Sequence, residues 1–233
     1  MKRFLLIVFA GLLAPAIYSQ NHYLDISGGL NISKVRSYAA ADFKKGPGVG
    51  LGYEFRFAHI MSLKTGLMYN QRGGKYETQL YDSAAQQSYA RHYPIKTHYV
   101  SLPVLLGLVS TGDTYGFGRF GVMLSYLLDA NAEEPVRING EYITELRNIK
   151  QRFKSMDVVG VIEGGMGSAV GSRIILEAAV ALQVGLSNAV KQNRYGTSGF
   201  NPESNSIELP RNPHVGFSIM LAVKYRLGSK AEE

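Results

Sequence analysis

The sequence contains no cysteine and no tryptophan. Without cysteine there can be no disulfide, no thiol nucleophile, no thiolate metal site and no acylation as a lipoprotein. Past the N-terminal segment there is no apolar run near the ~20 residues that a membrane-spanning helix needs. Charge of either sign is also thinly spread. The formal net charge of +7 comes without an extended Lys/Arg run, so nucleic acid is not an indicated partner. The five histidines (His22, His59, His92, His98, His214) show no metal-ligand spacing. The series Gly46, Gly48, Gly50, Gly52 has neither the spacing of a phosphate loop nor a helix pattern after it.

What is present is enough for one folded domain: 233 residues, 45% hydrophobic and 18% charged. Met1 to Ser19 has the form of a secretory signal. Lys2 and Arg3 form its charged start, Phe4 to Leu13 its apolar core, and Ala14, Ala16 and Ser19 are small residues for cleavage. Cleavage after Ser19 would leave Gln20 first and bring the charge from +7 to +5 by removal of Lys2 and Arg3. The chain is therefore expected to be exported, and any insertion into a membrane must use strands.

Strands are what the remaining sequence supplies. In His214–Leu227, Phe217, Ile219, Leu221, Val223, Tyr225 and Leu227 alternate with Gly216, Ser218, Met220, Ala222, Lys224 and Arg226. A period of two with one large apolar face and cations on the other fits lipid outside and a polar lumen inside. The same alternation predicts seven more strands: Tyr23–Ser33, Gly48–Phe57, Ser62–Arg72, His98–Leu108, Tyr115–Leu128, Met156–Gly167 and Arg173–Ser187. Arg173 falls on the inward face of the last of these. Pro103 inside the fourth predicts a bulge or a local break in the ladder.

The connections alternate long, short, long, short, long, short, long. The long ones include 73–97, 129–155 and 188–213, and the short turns include Thr111-Gly112-Asp113. This predicts an all-β, eight-stranded antiparallel up-and-down transmembrane β-barrel, with long extracellular loops, short periplasmic turns and both termini periplasmic. Signal peptide 1–19, barrel 20–228 and a short charged tail 229–233 make up the expected organisation. Phe55, Phe57 and Tyr225 would form one aromatic girdle, and Tyr69, Tyr126 and Phe217 the other. A soluble lipocalin-type barrel would turn its apolar faces inward. Here the inner faces carry Gly, Ser and charges, with few large apolar groups.

The fourth and fifth strands carry a family resemblance. Tyr99-Val-Ser-Leu-Pro-Val-Leu-Leu106 and Gly118-Arg-Phe-Gly-Val-Met-Leu-Ser-Tyr126, with Ile26-Ser-Gly-Gly-Leu-Asn-Ile-Ser33 and Gly185-Leu-Ser-Asn188, resemble the Bacteroidota outer-membrane β-barrel family that includes PorT. The resemblance covers essentially the whole mature chain. It implies an integral outer-membrane protein and, if PorT-like, a link to type IX secretion of surface proteins. The basic stretch Arg147-Asn-Ile-Lys150, with Lys154 and Asp157, is similar to PorT as well. The C-terminus departs from the usual pattern, because the last strand ends at Leu227 rather than at an aromatic residue.

Two groups of residues are candidate sites. Asp25, Glu54, Arg56, Lys64, Arg119, Glu163, Glu177, Lys224 and Arg226 share one end of the predicted lumen, with Arg72 and Asp157 at the other. An eight-stranded barrel is just wide enough to be filled by its own side chains, so these charges are expected to pair as a structural plug. Lys224 and Arg226 are the expected partners of Asp25, Glu54, Glu163 and Glu177. The second group lies in the loops: Tyr76, Tyr81, Tyr89 and Tyr93, then Arg137, Arg147, Lys150, Arg152 and Lys154, then Lys191, Arg194 and Arg211. Such cations and tyrosines suit anionic headgroups, outer-membrane glycolipid or a secretion-system protein.

No catalytic triad is visible. His98 and Ser101 are three apart, so a regular strand puts them on opposite faces. Neither a metal nor a cofactor is implied. The expected function is a non-enzymatic scaffold or assembly factor. A small porin or general envelope-integrity barrel is the alternative, and a lipid-modifying barrel enzyme comes third.

Overall fold

The computed structural model describes residues 21–35, 43–57, 60–82, 87–138, 141–187 and 214–227, with backbone alone at 35, 76–82, 87–92, 134–138 and 141–142. The expected signal 1–19 and tail 229–233 lie outside the described residues. Nine strands form one antiparallel sheet: β1 (Asn21–Val35), β2 (Lys44–Phe57), β3 (Met61–Asp82), β4 (Gln87–Val109), β5 (Thr114–Ile138), β6 (Glu141–Asn148), β7 (Met156–Ala169), β8 (Ile174–Gly185) and β9 (His214–Leu227). β1 pairs with both β2 and β9, and β4 pairs with β5, so the sheet closes on itself.

The barrel nevertheless has eight staves. β5 pairs with β7 from Thr114 to Tyr126 and with β6 from Asn131 to Ile138. β6 therefore sits above β7 on the same edge of β5, and the two form one stave interrupted at 149–155.

The chain turns its apolar side outward. Leu51, Leu67, Ile162 and Leu221 are 63%, 59%, 64% and 66% exposed, while Glu54, Arg119 and Lys224 are 0%, 1% and 0%. That inverts the soluble arrangement and needs lipid outside. Closure leaves no unpaired edge around the band. Along β9 the band runs from Phe217 to Tyr225, eight residue steps. Eight steps are about 27 Å of strand, or about 20 Å of height at a tilt of about 40°, near the ~25 Å band of such barrels.

Three expectations need correction. Residues 73–97 and 129–155 are not simply loops. β3 and β4 stay paired from Gly73↔Lys96 to Asp82↔Gln87, and β5 and β6 form a second hairpin. Polar residues on both faces hid these strands, because a hairpin in water needs no apolar face. The inner wall is also less polar than expected. Tyr23, Val109, Tyr115, Phe117 and Ile175 form one buried cluster, and Leu105, Met123, Val159, Val161 and Ala181 form another. A lumen this narrow is filled side chain to side chain, and charges alone cannot fill it. Finally, Arg173 does not face inward. It lies in the turn before β8, exposed, and donates to the Tyr225 hydroxyl at 2.9 Å on the outer face.

Pro103 breaks the ladder locally. β3 and β4 pair at Thr65↔Val104 and resume at Met68↔Ser101, while opposite β5 the register runs through Pro103↔Met123 unshifted. The one shift lies higher, between His98 and Tyr99, and leaves Leu128 without a partner on β4. This bulge reverses which alternate positions face inward: Ser125 and Leu127 are buried below it, Ala130 and Ala132 above it. Two of the short turns use glycine where φ is positive, Gly112 (120°) and Gly171 (136°).

Candidate functional site

Inward positions of β2, β5, β8 and β9 bring Glu54, Arg119, Glu177 and Lys224 to one level of the lumen. Glu54 accepts from Arg56 Nε at 2.7 Å, from Arg119 Nη2 at 2.7 Å and from Lys224 Nζ. Glu177 Oε1 accepts from Lys224 Nζ at 2.7 Å, the Tyr115 hydroxyl at 2.8 Å and Arg119 Nη2 at 3.1 Å. Glu163 takes Arg119 Nη1 at 2.6 Å, with Lys64 Nζ 3.9 Å away. The Arg119 fork thus serves three carboxylates at once, as a planar guanidinium with five donors can. Carboxylates buried this deeply are tolerable only with such partners.

Aromatic rings complete the layer. The Arg119 guanidinium lies 3.7 Å from the Phe117 ring centre, and that of Arg56 lies between Tyr23 and Tyr115 at 4.5 and 4.4 Å. Arg226 is set apart. It lies 5.7 Å from the Tyr23 ring, and its Nε has no hydrogen-bond partner among the described residues. Tyr23, Tyr115 and Phe117 were missed as site residues, although each shares the inward alternation of Asp25 or Arg119. That alternation was the available signal.

Asp25 pairs differently from expectation. It faces Lys224 directly in the ladder, yet Lys224 reaches across to Glu54 and Glu177. Asp25 Oδ2 is buried without a hydrogen-bond partner among the described residues. It lines a cavity of about 40 Å³ shared with Lys64, Glu163, Met68 and Met220, close to the Pro103 break. That is room for about two or three water molecules. Gly52 gives Asp25 its space, since a side chain there would meet the carboxylate.

Nearer the hairpin end, Arg72 and Asp157 meet at 3.4 Å. His214 joins them, with Nδ1 3.5 Å from Asp157 Oδ2 and Nε2 3.3 Å from Arg72 Nη1. Ser125 accepts from Arg72 at 3.1 Å and bonds Ser101 at 2.9 Å. A serine, a histidine and an aspartate are gathered here, but the guanidinium occupies the place beside Nε2 that a nucleophile would need. His98 bonds Tyr69 on the outer face at 2.6 Å, away from the buried Ser101. Among the described residues no cluster of His, Asp and Glu could hold a metal.

The hairpin end carries a different chemistry. Tyr93, Ile95, Tyr99, Leu127, Ala130, Ala132, Ile149 and Phe153 form a buried apolar cluster. Ile149 and Phe153 enter it from the segment between β6 and β7. Of the loop candidates, Tyr93 is thus buried, while Lys150 and Lys154 are exposed. Arg147 bonds Glu145 at 3.0 Å, and Arg152 is part-exposed. The side chains of Tyr76, Tyr81, Tyr89 and Arg137 are outside the described residues, as are Lys191, Arg194 and Arg211 entirely. At the hairpin base Asp129 accepts from Asn131 and Asn148, each at 2.7 Å. Desolvation pushes its carboxyl up, but these bonds and nearby His98 outweigh that and hold it below the usual value.

The chain is similar to several solved structures. Ail of Yersinia pestis, solved with the heparin analogue sucrose octasulfate, is 14% identical, with a TM-score of 0.43 over 88% of this chain and 99% of that one. OprG of Pseudomonas aeruginosa is 12% identical, with a TM-score of 0.46 over 90% of this chain and 97% of that one. Neisserial surface protein A is 10% identical, with a TM-score of 0.45 over 90% and 99%. No curated protein sequence matches the chain. A family model described as an outer membrane protein beta-barrel domain matches residues 18–191. With the closed barrel and its outward apolar band, that match shows that the chain belongs to the outer membrane protein β-barrel family and is an integral outer-membrane protein.

Proposed function

We propose that this barrel is a non-enzymatic scaffold or assembly factor that works through its exterior rather than its lumen, most concretely as a PorT-like component of type IX export of surface proteins. The observation that carries the scaffold reading is the filled lumen, spanned by the Glu54–Arg119–Glu177–Lys224 layer. A lumen filled by its own side chains leaves the surfaces to act. The resemblance of strands four and five to the PorT family supplies the finer reading. On this reading the short turns and both termini face the periplasm and the two hairpins face the exterior. The partners are outer-membrane lipid and glycolipid and secretion-system proteins, with no nucleic acid. Deleting the gene and assaying surface-protein secretion is the test; secretion at the parental level removes the PorT-like reading.

The small porin is the second reading, favoured by the cavity that Asp25 and Lys64 line. Planar-bilayer recording separates the two. We expect no steady open-pore current, and its appearance would sink the scaffold reading.

A further inference from the structure

Between Asn148 and Met156 the wall leaves the β ladder, and residues 149–155 run opposite Leu127 to Ala130 of β5. The segment is nonetheless tightly held. Ile149 N–H donates to Ala130 O and Leu127 N–H to Ser155 O, both at 2.8 Å. A 3-10 turn over Lys150–Arg152 bends the chain, and Asn148 Oδ1 accepts from Lys150 N–H at 3.0 Å. Ile149 and Phe153 anchor it in the apolar cluster of the mouth.

Irregular backbone does not survive on a lipid-facing wall within hydrocarbon. This knuckle therefore marks the headgroup level at the hairpin end. Its neighbours agree, since Tyr126, Leu128 and Met156 are 50%, 41% and 58% exposed at the edge of the apolar band. Lys150, Arg152 and Lys154 are carried at this height within five residues, with Lys150 and Lys154 exposed.

We propose that the 149–155 knuckle binds the phosphate of an anionic glycolipid headgroup in the leaflet at the hairpin end, an inference that rests on the outer-membrane orientation given above. Ammonium and guanidinium groups are the natural partners of a phosphate, and a backbone pinned by two buried anchors loses little freedom on binding. The exposed Tyr126, Leu128 and Met156 beside it receive the acyl chains. The arrangement separates the roles of the segment: Ile149 and Phe153 anchor it in the apolar cluster, while the exposed Lys150 and Lys154 face the membrane surface.

The test is native mass spectrometry of the detergent-solubilised full barrel, titrated with lipid A or with the same glycolipid stripped of its phosphates. We expect selective retention of lipid A, weakened roughly fivefold for each charge removed in a Lys150→Gln/Lys154→Gln variant. Its melting in detergent alone should match the parent. A Lys150→Arg/Lys154→Arg variant should keep lipid A and serves as the folding control. Equal retention of lipid A by the glutamine variant, or equal retention of the dephosphorylated glycolipid, overturns the proposal. A Ser155→Cys variant probed with an impermeant maleimide reads orientation separately, because the chain has no other cysteine. Labelling of intact cells supports the outer leaflet. Labelling only after permeabilisation overturns that placement, even where the titration succeeds.

Discussion

The inner wall is packed at two levels by opposite chemistry. Toward the short turns, Glu54, Arg119, Glu177 and Lys224 lock together through ion pairs within a fully buried layer. Toward the hairpins, Ile149 and Phe153 join an apolar cluster of β4 and β5 from a segment bent by a turn. The charged layer is carried by regular strands with ladders on both sides, so its partners cannot separate without opening the wall. The apolar cluster draws two of its members, Ile149 and Phe153, from backbone outside the ladder that is bonded to β5 at each end. A network of buried charges confers little net stability over an apolar filling, but losing one member is severe. An apolar cluster loses in proportion to the area removed and can fail by itself. The comparison therefore places global stability at the first level and local opening at the second.

The largest effect should come from Arg119→Met. It takes one cation from each of Glu54 and Glu177 and leaves Glu163 only the distant Lys64, and we expect a loss of roughly 3–5 kcal/mol. Urea unfolding in detergent micelles measures it, and a midpoint equal to the parent's would break the comparison. Next comes Phe153→Ala, expected to cost the cluster about 3–5 kcal/mol. Here the loss should appear as faster protease cleavage within 149–155, with little change in the global transition. A global midpoint lowered as far as that of Arg119→Met would erase the distinction.

The smallest effect concerns Asp129 at the hairpin base. A carboxyl held below its unfolded value stabilises above that value, and the contribution is lost as pH falls through the folded one. Hydrogen exchange in the β5–β6 hairpin, corrected for intrinsic rates, should rise in the acid range while the barrel staves stay protected. Asp129→Ala should remove that step, and a step that persists in the variant would assign it elsewhere.

Much of the barrel was legible along the chain. Alternating faces marked all eight staves, because a lipid-facing strand must be apolar on every second residue over its whole span. Long and short connections alternated as in an up-and-down barrel. What was not legible has physical reasons. The extensions of β3, β4 and β5 and all of β6 stand in water, where a strand needs no apolar side. The inner aromatic residues, Tyr23, Tyr115 and Phe117, sat among charges and did not register as a layer. Arg173 followed the alternation but fell past the end of its strand.

The sequence by itself determined the absence of thiol chemistry, the eight outward faces and the set of charges inside, since each depends on local composition or a period of two. Only the tertiary structure decided which charges meet. Lys224 stands beside Asp25 in the ladder yet reaches Glu54 and Glu177, because strand tilt and stagger carry side chains from opposite walls to one height. It also decided where inside becomes outside, at the Leu128 bulge, and that the segment after β6 folds inward at Ile149 and Phe153. Those outcomes depend on how the sheet closes, which no local pattern records.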